Sequence, residues 1–237
     1  MNSRTDQVDA GGGRHFAAYV SLPRQPNGHA VVVLQEIFGV TPHIRGIADR
    51  FAEDGYLALA PDLFWRIEPG MSLTHSREDM AHAFALVQQY DESQGVEDIA
   101  SCIAHVRRQP EFRGKVAVAG MCLGGKLAYL AAARGVGAAS VAYYGVGIEK
   151  NLHEADGIRG PLMLNFGQRD RYVPPAAREK IAAALEGKFQ VESHLYEGAD
   201  HGFYTRGDPE TIALARKRTN AFLNQALCAC VAARASR

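Results

Sequence analysis

The sequence predicts a doubly wound, mostly parallel α/β sheet with helices on both faces. Three observations predict it. Short β-branched or apolar runs recur along the chain, at residues 30–34, 56–60, 116–119, 138–144 and 161–166. Stretches with apolar residues at helical spacing alternate with them, the pattern of strand–helix–strand units. The run Ala30-Val31-Val32-Val33-Leu34 is apolar at every position, as expected of a strand buried on both faces. No internal repeat or low-complexity linker interrupts this alternation, so residues 1–237 read as a single domain.

The bulk composition narrows the function. Apolar residues make up 47% and charged residues 22%, ordinary for a soluble globular protein. Lys and Arg (26) balance Asp and Glu (26), which gives no pull towards nucleic acid or an anionic membrane. The polar start shows no secretory signal and no stretch reaches membrane-spanning length, so a cytoplasmic location is expected. The four cysteines, Cys102, Cys122, Cys228 and Cys230, form neither a disulfide framework nor a metal knuckle. The histidines besides His201 show no ligand spacing, so no metal site is expected.

In order, residues before about 15 read as a frayed, Gly-rich lead, 15–21 as an edge strand and 23–28 as a turn. The buried strand 30–34 runs into Gln35-Glu36-Ile37-Phe38-Gly39, which puts a glutamate at a strand's carboxyl end, where α/β sheets bind ligands. Thr41-Pro42 supplies a helix cap and a first-turn proline, and Ile44, Ile47, Ala48 and Phe51 follow at helical spacing up to Gly55. The strand 56–60 closes at Pro61-Asp62. Residues 63–73, with Trp65, read as an irregular excursion. Ser76 and Asp79 cap a helix to about Tyr90, and a second helix carries Val96, Ile99, Ala100, Ile103 and Val106 on one face. After the strand at 116–119 come a helix over 126–132 and strands at 138–144 and 161–166. A helix over about 175–185 leads to the last strand, 190–196, and Ile212, Ala215, Thr219, Phe222 and Ala226 mark a long terminal helix.

The chemistry centres on Gly120-Met121-Cys122-Leu123-Gly124-Gly125. Gly-x-Cys-x-Gly between a strand and a helix is the setting of a nucleophile elbow, a tight turn that lifts one side chain above the sheet. On its own the pattern fits equally a glycine-rich turn around an inert, buried cysteine. Asp170 and His201 also fall at carboxyl ends of strands. Nucleophile, acid, histidine is the α/β-hydrolase order, unlike that of chymotrypsin or subtilisin. In this arrangement His201 would take the thiol proton or stabilise the thiolate, Asp170 would fix the imidazole, and the backbone N–H groups of Leu123 and Ile37 would hold the oxyanion. Each residue alone has a plainer reading. Asp170 suits a turn carboxylate paired with Arg169 or Arg171, His201 a solvent-facing loop histidine, and Glu36 a surface acid at a helix entrance.

Five segments together, Gln35-Glu36-Ile37-Phe38-Gly39, Pro61-Asp62-Leu63, Gly120 to Gly125, Tyr143-Tyr144-Gly145-Val146-Gly147 and Gly198-Ala199-Asp200-His201-Gly202-Phe203, resemble the dienelactone hydrolase family. The resemblance runs from about residue 15 to 223. It implies a monomeric, cofactor-free α/β-hydrolase with a Cys122–His201–Asp170 triad that opens enol-lactones to keto-acids during aromatic breakdown. It implies a task for Glu36 as well: resting contact with the thiol, and acceptance of its proton once substrate binds. A thiol kept protonated at rest is shielded from oxidation.

Cysteine also narrows the substrate by elementary chemistry. The intermediate formed when a thiolate adds to an ester expels sulfur more readily than an alkoxide. A stabilised enolate or phenolate competes with sulfur, which favours enol-lactones and activated esters. A broad esterase or thioesterase with the same site is the second reading. A non-catalytic ligand receptor or thiol redox sensor is the alternative of another class.

Two departures from the resembled pattern fall in the substrate pocket. The arginine pair that clamps a substrate carboxylate aligns with Met80, a turn after Arg77, and with Thr205, beside Arg206. Gly202 stands where a serine is expected. Either Arg77 and Arg206 move into the clamp, or the substrate is less anionic, the reading slightly preferred. Phe38, Trp65, Phe84 and Tyr143 are candidate pocket walls.

Overall fold

The continuous apolar runs become the buried centre of one eight-stranded sheet in a computed structural model that describes residues 2–228. Strands β3 (Ala30–Leu34), β4 (Leu57–Pro61), β5 (Val116–Met121), β6 (Ala139–Tyr143), β7 (Leu162–Gly167) and β8 (Val191–Tyr196) pair in parallel in the order β4-β3-β5-β6-β7-β8. Strand β2 (Arg14–Leu22) joins β4 antiparallel, and β1 (Asn2–Gly11) joins β2.

Residues 2–11 are thus not the frayed lead that their composition suggests. They pair with β2 along their length, from Asn2 opposite Leu22 to Gly11 opposite Arg14, around a glycine turn. His105 bonds Asp6 at 2.9 Å and Arg4 reaches Gln109 at 2.7 Å, which ties this edge to a helix beneath.

Strand alternation sorts the core into two layers. Val31 and Val33 face α1 (Pro42–Glu53) and α7 (Pro209–Cys228). Ala30, Val32 and Leu34 face α3 (Glu92–Arg107) and α4 (Leu123–Ala133). Helix α1 starts where expected, with Thr41 Oγ1 accepting the Ile44 N–H at 3.4 Å and Pro42 in the first turn. It buries Ile44, Ile47 and Phe51, each such side chain being worth about 1.5–3 kcal/mol of transfer free energy. Helices α2 (Arg77–Val87) and α5 (Pro175–Leu185) pack on the α4 face. The short α6 (Phe203–Arg206) joins α7 on the other.

The excursion after β4 is irregular but anchored. Asp62 accepts the Phe64 N–H at 3.0 Å and the Gly70 N–H at 2.7 Å. Asp98, buried on α3, takes Trp65 Nε1 at 3.0 Å and a bidentate guanidinium from Arg66. Trp65 stacks on Phe16 at 5.4 Å and is no pocket wall. The segment then returns across the sheet top, where Leu73 donates to the Phe38 carbonyl at 2.8 Å. Among the described residues, no helix is long and apolar enough to cross a membrane.

Candidate active site

Parallel register brings the functional segments to one edge. Leu34 lies opposite Gly120, Met121 opposite Tyr143, Tyr143 opposite Asn165 and Gly167 opposite Tyr196. The segments holding Glu36, Cys122, Asp170 and His201 therefore leave the sheet side by side, and Glu36, Cys122 and His201 line a common cavity of about 740 Å³.

Cys122 sits between β5 and α4 with φ 56° and ψ −112°, a backbone conformation that costs a non-glycine residue of order 1–3 kcal/mol. The glycines around it make the turn sterically possible. A Cβ on Gly120 would overlap the Gly124 carbonyl, and one on Gly124 would lie 2.5 Å from the Leu34 oxygen. The Gly124 N–H bonds the Gln35 carbonyl at 3.1 Å, which locks the elbow to the loop after β3. Burial pushes the Cys122 thiol well above its usual range, and the nearby Glu36 carboxylate pushes it further. The Leu123 N–H, directed at the sulfur, opposes both.

His201 Nδ1 meets Asp170 Oδ2 at 2.8 Å, and the Asp170 side chain is fully buried. The other Asp170 oxygen accepts the N–H groups of Tyr172 at 2.8 Å and Val173 at 3.2 Å. Among the described residues neither Arg169 nor Arg171 pairs with it: one oxygen caps its own turn and the other is left for His201. With Nδ1 engaged, the imidazole presents Nε2 to the cavity. Tyr144 and Tyr172 stand edge-on against the ring, each with centroids 4.8 Å away.

Glu36 is 4% exposed, and its hydrogen bonds go not to sulfur but to Arg206 Nη1, at 3.4 and 3.2 Å, and to Thr205 Oγ1 at 3.4 Å. The arginine one position after the aligned one thus reaches the cavity. A Cβ on Gly202 (φ 79°) would lie 2.5–2.7 Å from the Arg206 guanidinium. The missing side chain after His201 and the shifted arginine are two sides of one arrangement.

The remaining pocket expectations divide. Phe38, Phe84, Leu123 and Ile37 line the cavity. Arg77 does not: it is exposed at the start of α2, and Met80 forms the wall instead. Tyr143 does not either. It is wholly buried, stacks on Tyr204 at 4.0 Å and bonds Thr219 on α7. A strand-end residue points to one face or the other, and Tyr143 points to the α7 layer. Sequence reading passed over His75, whose ring lies tilted against Phe38 with centroids 4.2 Å apart near Arg206, and also Tyr144 and Tyr172. Burial and the arginine hold the His75 imidazole below its usual range. Nothing in their spacing marks them; only the fold brings them here.

A family model for the dienelactone hydrolase family matches residues 16–227. A relative in Azospirillum brasilense is 40% identical over 230 residues, covering 93% of this chain and 97% of its own. The chain belongs to the dienelactone hydrolase family. The carboxymethylenebutenolidase of Pseudomonas sp. strain P51 is 38% identical over 215 residues, covering 90% of both chains. A solved structure from Klebsiella pneumoniae superposes with a TM-score of 0.81 at 26% identity, covering 94% of this chain and 98% of that one. The fold is that of the α/β-hydrolases, and this member of the family is a carboxylic ester hydrolase.

Proposed function

We propose that this hydrolase opens enol-lactones of the carboxymethylenebutenolide (dienelactone) type, and related activated esters, through a thioester on Cys122. The observation that carries the reading is the His201–Asp170 contact at 2.8 Å beside the cavity into which a strained Cys122 faces. A substrate carboxylate draws Arg206 away from Glu36, and the released carboxylate takes the thiol proton. The sulfur adds to the lactone carbonyl while the Leu123 and Ile37 N–H groups face the oxyanion. Collapse expels the enolate oxygen, which ends as a ketone after protonation at carbon. Water, deprotonated by His201 with Asp170 behind it, adds to the thioester carbonyl and expels sulfur, which regains a proton.

The 237 residues act in this reading as one domain and one monomer on a small molecule, without nucleic acid, membrane or cofactor. A reducing cytoplasm suits an enzyme that depends on a free thiol. The redox-sensor alternative loses support from Cys228, which lies beside Tyr56 at the amino end of β4, across the sheet from Cys122. Cys230 lies outside the described residues.

Hydrolysis of dienelactone and of its neutral methyl ester, followed by ultraviolet absorbance with Cys122→Ala as blank, tests the proposal. Preference for the free acid is expected, with Arg206 as its receptor. Equal rates would point to the broad-esterase reading, and no activity above the blank on either would overturn the function.

A further inference from the structure

Besides the exposed Arg206, the cavity contains a buried cation that the chemistry above does not use. Lys126 is 8% exposed and lies one helical turn after Cys122 on the same face of α4. Lys126 and Cys122 line the same cavity. Its Nζ bonds Glu92 Oε1 at 2.6 Å, at the first turn of α3. An ammonium carries three donors, and among the described residues Glu92 is the sole acceptor. The other two donors of the ammonium are available to a ligand in the cavity.

The surroundings keep that ammonium open. Gly147 passes Lys126 so closely that a Cβ would sit 3.5 Å from Nζ, and no side chain covers it there. Lys150, one 3-10 turn later, lines the same cavity, is exposed and makes no ion pair among the described residues. Five Lys and Arg side chains line the cavity against three carboxylates, two of which, Glu36 and Glu92, are already paired to Arg206 and Lys126. Such a mouth draws anions.

We propose that Lys126, assisted by Lys150, forms a second anion subsite that receives a carboxylate on the acyl side of the substrate. The subsite deepens the hydrolase reading and rests on it for the reaction: the substrate class becomes lactones and activated monoesters of dicarboxylic acids. Glu92 occupies the ammonium in the empty enzyme as Glu36 occupies Arg206, so each cation is held ready until a substrate anion competes for it.

Two measurements on the full-length enzyme test this. The first is the ratio of kcat/KM for the p-nitrophenyl monoester of glutaric acid to that for p-nitrophenyl valerate, a neutral acyl chain of matching length. The second is calorimetric binding of glutarate. Lys126→Met keeps the volume and removes the donors; Lys126→Arg keeps the charge. The expected result is about a tenfold fall in the ratio, carried by KM, and a similar loss of glutarate affinity in Lys126→Met, both largely restored in Lys126→Arg. An unchanged ratio and unchanged binding would overturn the subsite while leaving the hydrolase intact. Equal loss on both esters, with the ratio kept, would show a structural lysine and also overturn it. Lys126-dependent glutarate binding in an enzyme that cleaves neither ester would uphold the subsite and remove the hydrolase reading.

Discussion

Cys102 and Cys122 are the same group in two settings, and the contrast shows what makes a thiol useful. Cys102 is fully buried and Cys122 half-buried, and desolvation pushes both thiols up. Cys102 sits within α3, fully buried among apolar side chains, with its backbone in ordinary helical hydrogen bonding. Cys122 sits at a positive φ at the head of α4, with an N–H aimed at its sulfur and a cavity in front of it. Glu36, Arg206 and the His201–Asp170 pair surround that cavity. Burial alone makes a thiol inert. In the proposed mechanism, a releasable carboxylate and an oriented imidazole beside the half-buried thiol make it a nucleophile that is protected until substrate arrives.

The largest test of that contrast is to remove each sulfur. Cys122→Ala is expected to lower kcat by at least about a thousandfold on any activated ester, whereas Cys102→Ala stays within about twofold of the parent enzyme. A comparable fall in both would erase the distinction. Next, Asp170→Asn, which frees the imidazole tautomer, should lower kcat by two to three orders of magnitude, approximately, with little change in KM. Retained activity would mean the 2.8 Å contact does not orient the base.

A smaller effect is expected of Gly202→Ser. Its side chain would need the space of the Arg206 guanidinium and would adopt an unfavourable φ. KM for an anionic substrate should rise about tenfold, more than for its neutral ester. Equal changes on the two would separate Gly202 from the placing of Arg206. The smallest effect lies in stability. Cys102→Ala should cost about 1–2 kcal/mol of unfolding free energy by denaturant titration, from lost packing.

The same two thiols make the fold sensitive to alkali. Their folded values lie above the ordinary thiol value of 9.0, so the unfolded chain loses those protons first as pH rises. Their contribution is present in full below pH 9 and declines above it. Tm should therefore fall above pH 9, less steeply in Cys102→Ala; an identical slope would show that Cys102 does not contribute.

Much of the fold is legible because burial on both faces leaves a plain signature. The run 30–34 and the helix bounded by Pro175 and Leu185 are both where the sequence puts them. The edge is not, because β1 exposes nearly all its residues and takes its shape from pairing with β2 and α3. Within the site, Cys122, Asp170 and His201 are marked by order and by strand ends. What escapes sequence reading is direction and long-range pairing. Tyr143 and Tyr144 are neighbours, yet Tyr144 meets His201 and Tyr143 meets Thr219. Glu36 meets Arg206 across 170 residues, and Lys126 meets Glu92 across 34; no local spacing predicts either.

The central claim is that acyl transfer passes through the Cys122 sulfur. Intact-mass measurement of a His201→Gln variant mixed with dienelactone tests it most directly, because that variant forms the thioester but lacks the base that clears it. The account predicts an adduct equal to the whole lactone, since ring opening expels nothing, mapped to Cys122 by peptide sequencing and released by neutral hydroxylamine. An adduct on another residue, or full turnover in Cys122→Ala, would contradict it.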